Sequence, residues 1–305
     1  MSLNRRQLLT GFGLTGVLGL SVLAWQRRLA GAAIAPQMIS SAANLQSPQG
    51  EPLLRFAAVA DAGMGNAGQY AVANAMTAYR QQQPFSLVIL AGDNIYTNGE
   101  IEKIAAVFER PYATLLAQNV SFRACLGNHD IRTANGTAQL AYPGFNLPAR
   151  YHSFQQGPVQ FFVLDTNNNA DWTTQLQWLD RELAASTASW KIVFGHHQIY
   201  SSGRYGIDRQ RRQLLVPHFR QHGVALYING HEHHYERSQS LDGTTYLICG
   251  GGANLRPVGR SPWTAYATSQ LSFAIFEVYA DQIVVSGIGT DARPFDHGAI
   301  ARPVA

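Results

Sequence analysis

Val224-Ala225-Leu226-Tyr227-Ile228-Asn229-Gly230-His231-Glu232-His233-His234 is a short apolar run that stops at a glycine and then releases three histidines and a glutamate. Apolar runs of this length, bounded by turn residues, read as buried strands. The same grammar recurs upstream. Leu53–Ala60 leads into Asp61-Ala62-Gly63, Ser86–Ala91 into Gly92-Asp93-Asn94-Ile95-Tyr96, and Ser121–Leu126 into Gly127-Asn128-His129-Asp130. Val159–Leu164 leads into Asp165-Thr166-Asn167, and Lys191–Phe194 into Gly195-His196-His197. Helical stretches lie between them, at Gln69–Gln83, Ile101–Ala117, Trp172–Ala185 and Asp208–Gln221. This βαβ alternation predicts an α/β core, in which the carboxyl ends of neighbouring strands open into one crevice. Residues far apart in the chain can therefore share a site.

The C-terminal part changes character. Thr244–Cys249, Ser272–Tyr279 and Gln282–Gly287 read as strands with short connections, the last two a hairpin around Ala280-Asp281. They are expected to be antiparallel strands of a second sheet packed on the first, within one domain spanning 51–305.

The chain has 305 residues, 46% of them hydrophobic, enough for a packed core, which excludes a disordered or fibrous protein. Its formal charge of +4 comes from the N-terminal segment. Residues 1–50 carry Arg5, Arg6, Arg27 and Arg28 and no acidic residue; without those four, the 23 basic residues become 19, against 19 acidic ones. A neutral body has no stripe of positive charge for a phosphate backbone, so nucleic acid is not an expected partner. Cys125 and Cys249 lie in apolar runs and read as buried free thiols.

Arg5-Arg6 precede a charge-free, mostly apolar stretch from Gln7 to Gln26, followed by the small residues Ala30-Gly31-Ala32 and Ala33-Ile34-Ala35. Residues 1–35 thus read as an export signal, twin-arginine-like, which implies a periplasmic or extracellular protein. An uncleaved membrane anchor is the competing reading, because the apolar run approaches the ~20 residues that span a bilayer. Membrane contact is expected only through this segment. Residues 36–50, rich in Ala, Ser, Gln and Pro, read as a linker. The sequence does not fix an oligomeric state.

Six of the ten histidines, His129, His196, His197, His231, His233 and His234, fall in the strand-end turns together with Asp61, Asp93 and Asn128. Such a mixed oxygen and imidazole set, without thiolate, suits iron, zinc or manganese. Two cations ~3.5 to 4 Å apart would neutralise the oxygens of a phosphate ester and acidify a water toward a pKa of about 7. They need a bridging carboxylate, for which Asp93 is the candidate.

These motifs, in this order and at this spacing, resemble those of the calcineurin-like metallophosphoesterases, and specifically the small purple acid phosphatases of the tartrate-resistant type. The likeness runs from about Leu53 to about Asn254 and includes Tyr151-His152-Ser153-Phe154 and the run from Gly157 to Asp165. The resemblance implies a four-layer α/β/β/α sandwich of two mixed β-sheets flanked by helices. It also implies a ligand set. One ion, Fe(III) in the family, would take Asp61, Asp93, Tyr96 and His233. The second, Fe(II), Zn(II) or Mn(II), would take Asp93, Asn128, His196 and His231. Most of the wider superfamily places a His two residues after the first Asp, where this chain has Gly63; Tyr96 could supply the missing ligand.

The activity implied is hydrolysis of small phosphate monoesters by a metal-activated hydroxide, with an acidic optimum. A phosphodiesterase acting on cyclic nucleotides or phospholipid head groups would share every ligand. A non-catalytic exported protein that binds metal or a phosphorylated ligand is the alternative from another class. His129 is assigned to substrate chemistry, with Asp130 to orient or charge it. Tyr205 stands where mammalian-type members carry a second His, so the leaving-group proton has three candidate sources: His129, Tyr205 and solvent. His197, Gln198 and His234 are candidates for the mouth of the site. Glu232 is expected to point away as a solvated charge, and Asp165 to be structural. Glycines 250 to 252 are expected to permit close backbone approach beside the site. His152, His218, His222 and His297 receive no role.

Overall fold

The computed structural model describes Pro48 and residues 50 to 303. The expected export signal at 1–35 and all of the expected linker at 36–50 except Pro48 and Gly50 lie outside the described residues. Among the described residues, no helix is long and apolar enough to cross a membrane.

Two mixed sheets face each other. The first has the order β13-β12-β11-β1-β2-β3. β1 (Leu54–Val59), β2 (Leu87–Leu90) and β3 (Ser121–Ala124) run parallel, while β11 (Ser272–Val278), β12 (Gln282–Gly289) and β13 (Pro294–Ala301) extend it antiparallel from β1. The second has the order β10-β8-β9-β7-β6-β5-β4. Its parallel centre is β5 (Val159–Val163), β6 (Trp190–Phe194), β7 (Leu226–Asn229) and β9 (Thr245–Cys249). β4 (His152–Gln156), β8 (Tyr235–Ser238) and β10 (Thr264–Thr268) are antiparallel to their neighbours.

Strand alternation sorts the side chains into two cores. Phe161 and Val163 of β5, Ile192 and Phe194 of β6, and Leu226 and Ile228 of β7 face the first sheet. Their alternates Phe162, Val193 and Tyr227 pack with Leu179 of helix α2 (Trp172–Ala185) and with Leu215 and Phe219 of helix α3 (Arg209–His222). Helix α1 (Ala67–Gln82) contributes Val72 and Met76 to the core that contains the first sheet. Between the sheets, the Phe56 and Phe161 rings meet edge to face, 5.2 Å apart. The expected sandwich of two mixed sheets flanked by helices is the one observed.

Each long helix begins at a side-chain cap. Asn66 accepts the Gln69 N–H, Asp171 the Thr174 N–H, and Asp208 the Arg211 N–H.

Two expectations about elements are corrected. Ile101–Ala117 is not one helix but a series of short turns, Ile101–Lys103, Ala105–Glu109 and Ala113–Ala117. Pro111 falls between the second and third, and its missing N–H and the restriction it places on Arg110 interrupt a regular ladder. The C-terminal strands do not build a separate sheet. β11 and β12 join the sheet of β1, whereas β9 lies parallel to β7. The motif-bearing strands are thereby split between the two sheets, and the crevice lies between the sheets' carboxyl edges.

Candidate metal centre

The strand registers bring the motif turns together. Asp61 N–H donates to the Gly92 carbonyl at 3.0 Å along the β1/β2 edge, and Gly230 N–H donates to the His196 carbonyl at 2.9 Å along the β6/β7 edge. Across the gap between the sheets, His196 Nδ1 lies 3.0 Å from the Ala91 carbonyl, so Nδ1 carries the proton and Nε2 is left as a lone-pair donor. Asp61, Asp93 and His231 all sit at positive φ, at 55°, 53° and 68°. Non-glycine residues in this region carry backbone strain, and their clustering here marks a site whose geometry the fold imposes.

Two groups of donors share one carboxylate oxygen. The Tyr96 hydroxyl lies 3.0 Å from Asp61 Oδ1, 2.9 Å from Asp93 Oδ2 and 3.3 Å from His233 Nε2. Asp93 Oδ2 also has His196 Nε2 at 3.4 Å, with Asn128 Oδ1 3.1 Å and His231 Nδ1 3.2 Å from that nitrogen. Asp61 and Asp93 are 0% and 1% exposed. All seven side chains expected as ligands are therefore in one place.

The electrostatics fit a pair of cations. Burial pushes the Asp93 carboxyl up to about 7, and the neighbouring Asp61 charge adds to it. Burial also raises Asp61, but the hydrogen bond from His233 and the electrostatic influence of the neighbouring imidazoles overcome it and hold the group low. Burial raises the Tyr96 hydroxyl, and the two carboxylates raise it further. Burial lowers His196 and His231, the latter to about 3, so both imidazoles stay neutral with lone pairs available. Donors packed this tightly resist carrying negative charge together on their own, and bound cations would invert the upward shifts of Asp93 and Tyr96.

Gly63 explains why no histidine stands two residues after Asp61. A Cβ there would lie 2.0 Å from the Asn94 carbonyl oxygen, so the turn carrying Asp93 occupies that space. At Gly250 a Cβ would come within 2.1 Å of the Glu232 carbonyl oxygen and 2.8 Å of Asp61 Oδ2, which is the close approach expected of that glycine run.

His129 lies at the edge of the donor cluster. Its backbone N–H donates to Asp93 Oδ1 at 2.9 Å, its ring lies 4.5 Å from the Tyr96 ring, and Nε2 is 3.9 Å from Asp93 Oδ2. The imidazole is oriented by the Thr97 carbonyl, 2.6 Å from Nδ1, and not by Asp130. The role expected of Asp130 is corrected accordingly. Its buried carboxylate accepts the N–H groups of Asn94, Ile95 and Gly127 and the amides of Asn94 and Gln139, pinning the Asp93 and Asn128 turns to each other. Backbone N–H groups outrank the ring because they are fixed at this distance by the β2/β3 register.

Tyr205 is 43% exposed and stacks on His231, with ring centroids 4.6 Å apart and planes 17° apart. Beside it opens a cleft of about 540 Å³ whose lining includes Asn128, His197, Gln198, Tyr205 and His231. His197 and Gln198 are thus at the mouth, as expected. His234 is not: it is buried, with Nε2 3.3 Å from Glu236 Oε2.

Glu232 is a third correction, after Asp130 and His234. It is 0% exposed, and Oε1 accepts the Ser201 hydroxyl at 3.1 Å and the Tyr205 N–H at 2.6 Å. A charge between two histidines reads as solvated from sequence; here loop N–H and O–H groups take water's place. Asp165 is structural as expected, bonded to Arg150 at 3.0 Å and to the Asn167 backbone and side chain. Thr166 was missed. Its hydroxyl accepts the His196 and His197 N–H groups at 3.1 and 3.0 Å, and its position in a strand-end turn was the available signal.

Residues 54–235 match the model of the calcineurin-like phosphoesterase family. The chain is 30% identical over 241 residues to purple acid phosphatase 7 of Arabidopsis thaliana, covering 69% of this chain and 73% of that protein. It is 29% identical over 244 residues to tartrate-resistant acid phosphatase type 5 of Mus musculus, covering 68% and 74%. The solved structure of a purple acid phosphatase from yellow lupin seeds superposes with a TM-score of 0.69 at 19% identity, covering 82% of this chain and 54% of that one. With its two-sheet fold, its converging donors and these similarities, the chain belongs to the calcineurin-like phosphoesterase family and is a metal-dependent phosphoester hydrolase akin to the purple acid phosphatases.

Proposed function

We propose that the chain hydrolyses small phosphate monoesters at a binuclear centre. One cation, Fe(III), is taken by Asp61, Asp93, Tyr96 and His233, and a second, Fe(II), Zn(II) or Mn(II), by Asp93, Asn128, His196 and His231. The observation that carries this reading is the single oxygen Asp93 Oδ2, which lies 2.9 Å from the Tyr96 hydroxyl and 3.4 Å from His196 Nε2. When bound, the cations would polarise the ester and lower the pKa of a water so that it can attack phosphorus.

The chain's own side chains do the rest. His129, held by the Thr97 carbonyl through Nδ1–H, turns Nε2 toward the donor cluster, where in its imidazolium form it can hydrogen-bond the phosphate or pass the Nε2 proton to the departing oxygen. Asp130 keeps the turns of Asp93 and Asn128 in register. Tyr205 and the adjoining cleft receive the leaving group. A volume of about 540 Å³ exceeds what inorganic phosphate needs, and accommodates an organic substituent.

The same reading makes 51–305 the catalytic domain and the N-terminal segment an export address to the periplasm or beyond. The activity is tested by turnover of phenyl phosphate against a phosphodiester across pH, with metal analysis of the same sample. Monoester preference with an acidic optimum is the expected result; a strong diester preference would replace the monoesterase reading.

A further inference from the structure

His218 and His222 stand four residues apart on α3 and therefore share one face of that helix. Asp180 of α2 reaches across to them. Its Oδ1 lies 3.0 Å from His218 Nδ1 and 2.8 Å from His222 Nε2, so two imidazoles aim a nitrogen at the same oxygen. The three donor atoms lie within 4.8 Å of one another. The geometry points to a separate divalent-cation site of the zinc type here, formed by Asp180, His218 and His222 and stapling α2 to α3.

Three features favour a cation over a purely hydrogen-bonded cluster. The donor set, two imidazoles and one carboxylate, is one that zinc takes with a fourth position left to water. The spacing is close to what coordination requires: with zinc-to-ligand distances of about 2.0 to 2.1 Å, tetrahedral ligands stand roughly 3.3 Å apart, a few tenths of an ångström wider than observed. The scaffold is also fixed. The last turn of α3 is closed by Gly223 at φ 66°, whose N–H donates to the Phe219 carbonyl, and the Lys191 ammonium bonds the His222 carbonyl at 3.0 Å. α2 and α3 are packed together through Leu179, Leu183, Leu215 and Phe219.

Access is open as well. The side chains of Asp180, His218 and His222 are 44%, 26% and 10% exposed, so an ion can enter and keep a water. None of the three belongs to the candidate metal centre, and the site does not depend on the reaction proposed there.

The test is metal analysis of the full chain loaded with excess zinc and desalted, comparing the wild type with His218→Asn/His222→Gln. An asparagine amide at 218 would reach where Nδ1 stood and a glutamine amide at 222 where Nε2 stood, so both can still donate to Asp180 but do not hold zinc, and the fold is preserved while coordination is lost. The wild type should retain one more zinc per chain than the variant, and zinc should raise its Tm above the variant's. Phenyl phosphate turnover should be the same in both. Equal zinc content with equal zinc-induced Tm shifts would overturn the site and leave a hydrogen-bonded cluster. If instead the binuclear reading failed, zinc and turnover at the main centre would fall equally in both proteins, and the difference between them would remain readable.

Discussion

The buried carboxylate of Glu232 accepts the backbone N–H of Tyr205 at 2.6 Å, tying the loop that carries the exposed tyrosine to the turn that carries His231 and His233. Tyr205 in turn stacks on His231. One acidic side chain therefore sets the position of an aromatic surface beside the donor cluster.

Glu232→Ala should release that loop. Hydrogen bonds to a charged group contribute about 1.5 to 3 kcal/mol each, so the substitution should lower Tm and raise KM for phenyl phosphate more than it lowers kcat. Glu232→Gln keeps an acceptor oxygen and should recover most of the loss. An alanine variant with unaltered KM would show that the loop holds its place without Glu232.

Tyr96→Phe removes the hydroxyl that lies against Asp61 and Asp93. The iron-loaded wild type should show a visible phenolate-to-iron band that the variant lacks. A ferric wild-type protein without such a band, or a variant that keeps it, would remove Tyr96 from the ligand set.

His152, which is none of the proposed ligands, predicts a pH dependence of stability. Burial, joined by the Arg123 charge and opposed by a backbone hydrogen bond to Ala149, lowers its pKa from 6.5 to about 4. The unfolded chain therefore binds the proton first. Stability is fully present above pH 6.5, falls as pH drops toward 4, and levels off below. The slope in that window is up to ~1.4 kcal/mol per pH unit. His152→Phe should flatten it, as read by urea unfolding at pH 4.5 and 7; equal slopes would contradict the assignment.

Asp165 is 1% exposed and bonded to Arg150. Asp165→Ala removes the carboxylate partner of Arg150, leaving that guanidinium with the Asn135 carbonyl, and should cost about 3 kcal/mol in unfolding free energy. Metal content of the folded variant should match the wild type. Loss of metal without loss of stability would make Asp165 part of the centre.

Much of this site is legible in the sequence because strand-end turns announce themselves locally: apolar run, glycine, donor. Asp61, Asp93, Asn128, His196, His231 and His233 follow from that pattern, and Tyr96, three residues after Asp93, from the family resemblance. Pairing partners are not local. Nothing in the alternation of β9 or β11 says which sheet each will join, and the two were assigned to the wrong one. Burial of a charge is equally nonlocal. Glu232 and Asp130 are explained by N–H groups from loops that reach them only after folding, at Tyr205 for the first and at Asn94 and Ile95 for the second. Asp180 and His222 lie 42 residues apart and meet because two helices pack side by side.

Anomalous diffraction from crystals of the iron- and zinc-loaded protein tests the central claim most directly. Two peaks ~3.5 to 4 Å apart should flank the Asp93 carboxylate, one beside Tyr96 and His233 and the other beside Asn128, His196 and His231. A single peak, or none within coordination distance of Asp93, would contradict it.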